Sequence, residues 1–179
     1  MHKFRFKERT NYLLEVSSSR KIRCILMAKV YQFKRVQCIQ TDLDSAWDFI
    51  RKPANLNKIT PPDMTFTILS NVPEEMYEGL IIRYKIKIPI LGEQNWVSEI
   101  KHIVARRSFV DDQRIGPYKL WYHYHQIRET DRGIEFLDHI TYSIPYGLFG
   151  SIAHQFYVKN QLKKIFDFRA KTTPGLLEA

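Results

Sequence analysis

From Leu80 to Ile88 the chain sets Leu80, Ile82, Tyr84, Ile86 and Ile88 against Arg83, Lys85 and Lys87. That period of two is the pattern of a strand with one face buried and the other in water. Residues 30–40, 64–70, 94–104, 107–113, 120–129 and 134–143 carry similar runs, rich in β-branched and aromatic side chains. Turn signals separate them: Asn71-Val72-Pro73, Leu91-Gly92-Glu93, Gly116-Pro117 and Asp131-Arg132-Gly133. Short strands joined by short turns predict an antiparallel meander.

Two places break the period. Thr41-Asp42-Leu43-Asp44-Ser45 offers several capping side chains ahead of Ala46, Trp47, Phe49 and Ile50, which predicts a short helix ending before Pro53. A second short helical turn over residues 54–59 stops at Thr60-Pro61-Pro62. Near the other end, Pro145, Gly147 and Gly150 interrupt the last strand, and Ser151 is placed to cap a helix over residues 151–170. Val158, Leu162, Ile165 and Phe166 share one side of that helix, whereas Lys159, Lys163, Lys164 and Lys171 mark its solvated face. The predicted class is α+β: a curved antiparallel sheet of six to seven strands around a long C-terminal helix, with two short helices after the first strand. The final helix is the one element long enough to cover the apolar face of the sheet. A curved sheet gripping a single helix leaves a hollow between them.

Charge divides the chain. The net charge is +9, yet residues 1–29 hold eight basic side chains against Glu8 and Glu15, leaving about +3 for the other 150 residues. A nucleic-acid reading would therefore rest on the tail, and no specific nucleic-acid partner is expected. The expected division is a basic tail at 1–28, a domain at 29–171 and a C-terminal tail at 172–179. Met27 opens Met-Ala-Lys directly before the first strand-like run and is an expected native start. Cys24 and Cys38 stand in no C-x-x-C spacing, which fits a reducing compartment, the cytoplasm, with Cys38 expected as a small buried hydrophobe. No stretch reaches the ~18 consecutive apolar residues of a membrane-spanning helix, so no transmembrane segment is expected.

The element order is accompanied by particular residues: Ala46-Trp47-Asp48-Phe49, Asn55-Leu56 through Thr60-Pro61-Pro62, and Trp96. There follow Gly116-Pro117-Tyr118-x-x-Trp121-x-His123-x-His125, Asp138 and Tyr142 with Pro145-x-Gly147, and Ile165-Phe166-x-x-Arg169. In these, residues 30–170 resemble the START/polyketide-cyclase superfamily (SRPBCC, the helix-grip fold), and within it the bacterial ligand-binding branch of cyclase/dehydrase-like proteins. The resemblance implies a cavity for an apolar or amphipathic small molecule, such as a lipid, sterol, aromatic or polyketide. Superfamily members use that cavity for transport, sensing or, in some branches, catalysis.

Trp121, His123 and His125 are two residues apart and share one face of a strand. If the Asp131-Arg132 turn pairs Glu129 with Ile134, His125 stands opposite Asp138, Trp121 opposite Tyr142, and His123 opposite Ile140. A His–Asp pair fixes one tautomer and favours the protonated imidazole, and could act as general base in a cyclisation or dehydration. It serves equally well to satisfy buried polar groups or anchor a polar ligand atom. His-x-His also suits two metal ligands, with Asp138 or His139 as a third. No cysteine lies nearby and no longer metal motif is present, so neither metal nor cofactor is expected.

The candidate lining is thus Trp121, His123, His125, Asp138 and Tyr142, with Trp96 and Tyr84 as lesser members. Catalytic candidates are His125 and Asp138. Arg106 and Arg107 read as a surface strand pair, and Asp111 and Asp112 as a solvated turn. No phosphate-loop, dinucleotide, nucleophile-elbow or H-E-x-x-H motif is present. Three functions remain: a non-enzymatic small-molecule binder, a cyclase or dehydratase, and a partner-binding or anionic-surface module working through the basic tail.

Overall fold

Alternation governs most of the secondary structure in the computed structural model, which describes residues 29–177 apart from 65, 89–91 and 146. Seven strands form one antiparallel sheet: β1 (Val30–Ile39), β2 (Phe66–Ile68), β3 (Ile81–Ile88), β4 (Gly92–Val104), β5 (Ser108–Ile115), β6 (Leu120–Thr130) and β7 (Gly133–Ser143). Their order is β1-β7-β6-β5-β4-β3-β2, so the chain meanders from β2 to β7 and β1 closes the far edge. In β3 the inward Ile82, Tyr84, Ile86 and Ile88 are buried and the residues between them exposed. Gly133 makes the tight turn between β6 and β7 at φ 106°, where a Cβ would run into the Ile39 backbone carbonyl of β1.

Helix α1 (Leu43–Ile50) and a 3₁₀ helix (Pro53–Ile59) follow β1. Of the several possible caps, Asp42 takes the role and accepts from the Ser45 amide at 2.8 Å. The C-terminal helical stretch begins at Gly147 rather than at Ser151. It runs as α2 (Gly147–Ala153), a π-helical turn (His154–Val158) and α3 (Lys159–Leu177). Gly150 permits the early start, because a side chain there would collide with the Pro145 carbonyl. The helix also continues past residue 170. Arg35 pairs with Asp167 at 2.9 Å, Gln37 donates to the Ala170 carbonyl at 2.8 Å, and Thr173 is buried. These contacts fasten its last turns to β1.

Leu162 and Phe166 of α3 reach the core together with Ile82, Trp96, Phe109, Ile127 and Ile140 from the sheet. Cys38 is exposed on the outer face of β1, not buried, because the strand's parity turns Phe33 inward and Cys38 outward. Arg106 stands in the β4–β5 turn at φ 59° and pairs with Asp44 at 2.9 Å, so it is a turn residue and not half of a strand pair. Among the described residues no helix is long and apolar enough to cross a membrane. The basic tail and the start expected at Met27 lie outside the described residues.

Candidate functional site

The β6–β7 ladder has the register expected from the Asp131-Arg132 turn: Glu129 opposite Ile134, His125 opposite Asp138, His123 opposite Ile140 and Trp121 opposite Tyr142. On the other side of β6, His123 stands opposite Asp111 and His125 opposite Phe109. Because residues of one parity share a face, these pairings bring Asp111, His123, His125 and Asp138 to the concave side of the sheet.

His123 Nε2 lies 2.8 Å from Asp138 Oδ1, and His125 Nδ1 lies 3.0 Å from the same oxygen. Burial works against the Asp138 charge, but hydrogen bonds from His123 and His125 outweigh it and hold the carboxyl well below the usual carboxylate range. Burial, reinforced by the neighbouring His125, pushes His123 down to about 3 despite its bond to Asp138. The carboxylate is thus the charged partner and the His123 ring is neutral. For His123, the second imidazole on that carboxylate oxygen, desolvation exceeds the attraction of the acid. Asp138, His123 and His125 offer ligand atoms within 4.8 Å of one another, a grouping that could hold a metal ion. His139 is not part of it.

Two cavities meet at this cluster. The larger, about 630 Å³, lies between the sheet and the C-terminal helix, and Ile86, Trp96, Trp121, Leu162 and Phe166 are among its walls. The smaller, about 140 Å³, reaches under α1 and the 3₁₀ helix. Leu56, Tyr84, Asp111, His123 and Arg169 line both. Of the predicted lining, Tyr84, Trp96, Trp121 and His123 face the larger cavity, while His125 and Asp138 face the smaller. Tyr142 lines neither. It is 2% exposed, and its hydroxyl shares a hydrogen bond with His154 Nε2 at 2.9 Å. Trp96 packs edge-on against Trp121 at 5.3 Å and donates from Nε1 to the Ser98 hydroxyl at 2.9 Å.

Asp111 and Arg169 complete the polar cluster, and sequence reasoning assigned neither a role. Asp111 is enclosed in β5 rather than lying in a solvated turn, and its Oδ1 has no hydrogen-bond partner. Burial drives its carboxyl upward against the opposing pull of Ser98, His125 and Arg169. A signal was present: Asp111 has the parity of Phe109, so if Phe109 faces the core, Asp111 does too. Arg169 lies on α3 with its guanidinium 4.8 Å from the Phe166 ring, and burial pushes it below its ordinary value.

No protein-family model matches the sequence, and no curated protein matches it. Solved structures do match in fold. One is a START superfamily protein from Mycobacterium smegmatis, with 9% sequence identity and a TM-score of 0.62, covering 82% of this chain and 97% of that one. The fold is the START-like helix grip. Ginseng major latex-like protein 151 from Panax ginseng superposes with a TM-score of 0.62 at 12% identity, over 83% of this chain and 97% of its own. Protein CV1439 from Chromobacterium violaceum gives 0.61 at 8% identity, over 83% and 99%. At such identities the helix-grip likeness speaks for architecture, and the site must be argued from its own side chains.

Proposed function

We propose that this helix-grip chain is a binding protein that holds one apolar or amphipathic small molecule, of lipid, sterol, aromatic or polyketide character, between its sheet and its C-terminal helix. One observation carries the reading: the larger cavity, about 630 Å³, is walled mainly by aromatic and aliphatic side chains, and Asp111, His123 and Arg169 gather where it joins the smaller one. That volume falls within the ~300–1,000 Å³ typical of small-molecule sites, which pair apolar walls with a few orienting polar groups. The binding unit starts at residue 29, and its free Cys38 suits the reducing cytoplasm. Native mass spectrometry of the purified protein tests the reading. A bound species of small-molecule mass, lost on denaturation, supports it, and a preparation that neither carries nor takes up any apolar compound counts against it.

A second reading has its own observation. His125 lines the smaller cavity with its Nδ1 3.0 Å from the Asp138 carboxylate, a contact that orients the ring and leaves Nε2 as the nitrogen the acid does not engage. A base so placed suits a cyclase or dehydratase. Turnover that collapses in a folded His125→Gln variant would favour this reading over simple binding.

A further inference from the structure

Apart from the face of the Phe166 ring 4.8 Å away, Arg169 has no close partner for its charge among the described residues. It lines both cavities at their junction, yet among the described residues its guanidinium has no ion pair, donates no hydrogen bond, and keeps Nε buried without a partner. Elsewhere arginine forks are engaged: Arg51 bonds Asp48 and Glu75, and Arg128 bonds Glu135 through two nitrogens. Those lie near the surface, where pairing matters little. An enclosed guanidinium loses its water, and it needs an acceptor to offset that loss. The two acids nearby, Asp111 and Asp138, act on it only through space. Asp138 is committed to the two imidazoles, and Asp111 has an unpartnered oxygen of its own.

We propose that the bound molecule is a monocarboxylic acid with an apolar body, its carboxylate held by the Arg169 fork and its body lying in the larger cavity. This rests on reading that cavity as a small-molecule site. A planar carboxylate matches the parallel N–H donors of a guanidinium, which a single hydroxyl does not. A neutral headgroup would leave the guanidinium with the Phe166 ring face and charges acting through space, and no hydrogen-bonded anion. A dianionic phosphate would set two charges against the Asp138 carboxylate in a site of low polarisability. What the guanidinium lacks is an acceptor bonded to its N–H donors.

Calorimetric titration of the full chain with dodecanoate and with dodecanol tests this, and the neutral probe phenylnaphthylamine reports separately on the cavity. The acid is expected to bind at least ~10-fold more tightly than the alcohol, the discrimination given by a charged hydrogen bond of ordinary strength. Arg169→Gln should erase that preference by weakening dodecanoate at least ~10-fold. Probe binding with equal affinity for acid and alcohol overturns the anchor and leaves the cavity reading standing. No binding of probe, acid or alcohol overturns both. Should Arg169→Gln fail to fold, the acid-to-alcohol ratio of the unaltered chain decides the matter. Arg169→Lys, which keeps the charge and loses the fork, should then show an intermediate preference.

Discussion

Asp138 Oδ1 stands 2.8 Å from His123 Nε2 and 3.0 Å from His125 Nδ1, so a single carboxylate oxygen orders two imidazoles of the neighbouring strand. Removing it leaves two ring N–H groups in a poorly hydrated site, and an unsatisfied buried donor costs about 1–3 kcal/mol. Asp138→Ala should therefore lower unfolding stability by about 2–5 kcal/mol. Asp138→Asn, which keeps an acceptor oxygen, should lose less. Urea unfolding of the two variants measures the difference, and equal losses would mean that the acceptor is not what matters.

His123 makes the fold sensitive to acid. Its folded-state value is about 3 against an ordinary 6.5, so between those limits the unfolded chain binds a proton that the folded chain refuses. The group leaves stability unchanged above pH 6.5 and reduces it as pH falls, by at most about 1.4 kcal/mol per pH unit. Asp138, also depressed, adds a loss of the same sign once pH drops below its ordinary carboxylate value of 3.8. His123→Gln should flatten the stability profile between pH 6.5 and 4. A midpoint of thermal unfolding that falls equally with acid in both proteins would contradict this assignment.

Asp111 carries the opposite sign. Its carboxyl is raised in the folded chain, so its contribution is fully present below the unfolded value of 3.8 and is lost as pH rises. Asp111→Asn removes that liability without changing shape. The variant should match the parent near pH 4 and exceed it at pH 7 to 8, with a gap opening at up to about 1.4 kcal/mol per pH unit. Chemical denaturation at both pH values measures it, and a parent that stays the more stable at pH 8 would show Asp111 to be ionised and paired.

A cavity maintained for a ligand also predicts a conflict between stability and binding. Ile86 is inward on β3 and walls the larger space. Ile86→Phe extends a ring into it, which should leave stability unchanged or raise it by about 0.5–2 kcal/mol, as filled cavities do. The same ring should weaken any apolar occupant at least ~10-fold, since steric mismatch of this size is worth about 1–3 kcal/mol. Thermal melts and probe titration of one preparation give both numbers. If the variant binds as well as the parent, the occupant does not use this part of the cavity.

The fold was legible because its strands obey a strict alternation and its breaks fall at proline and glycine. The Asp131-Arg132 turn even set the His125–Asp138 register, since a hairpin turn leaves few alternatives. The chemistry was less legible. Asp111 and Asp112 look like a hydrophilic turn until β5 is seen to run through both, one facing in and the other bonded to Lys101 at 2.5 Å. Tyr142 was placed on the correct face, yet its hydroxyl is taken by His154, a residue 12 positions away whose approach depends on how the π-helical turn packs. Arg169 was visible as part of a sequence pattern, but its lack of a partner is a property of the assembled interior.

Saturable uptake of the neutral probe phenylnaphthylamine by the full chain decides whether the cavity holds an apolar guest. Fluorescence should rise to saturation at one probe per chain, and Ile86→Phe should suppress the rise while the protein stays folded. A signal that never saturates, or is unchanged in the blocked variant, would mean that the space beneath the helix holds no small molecule.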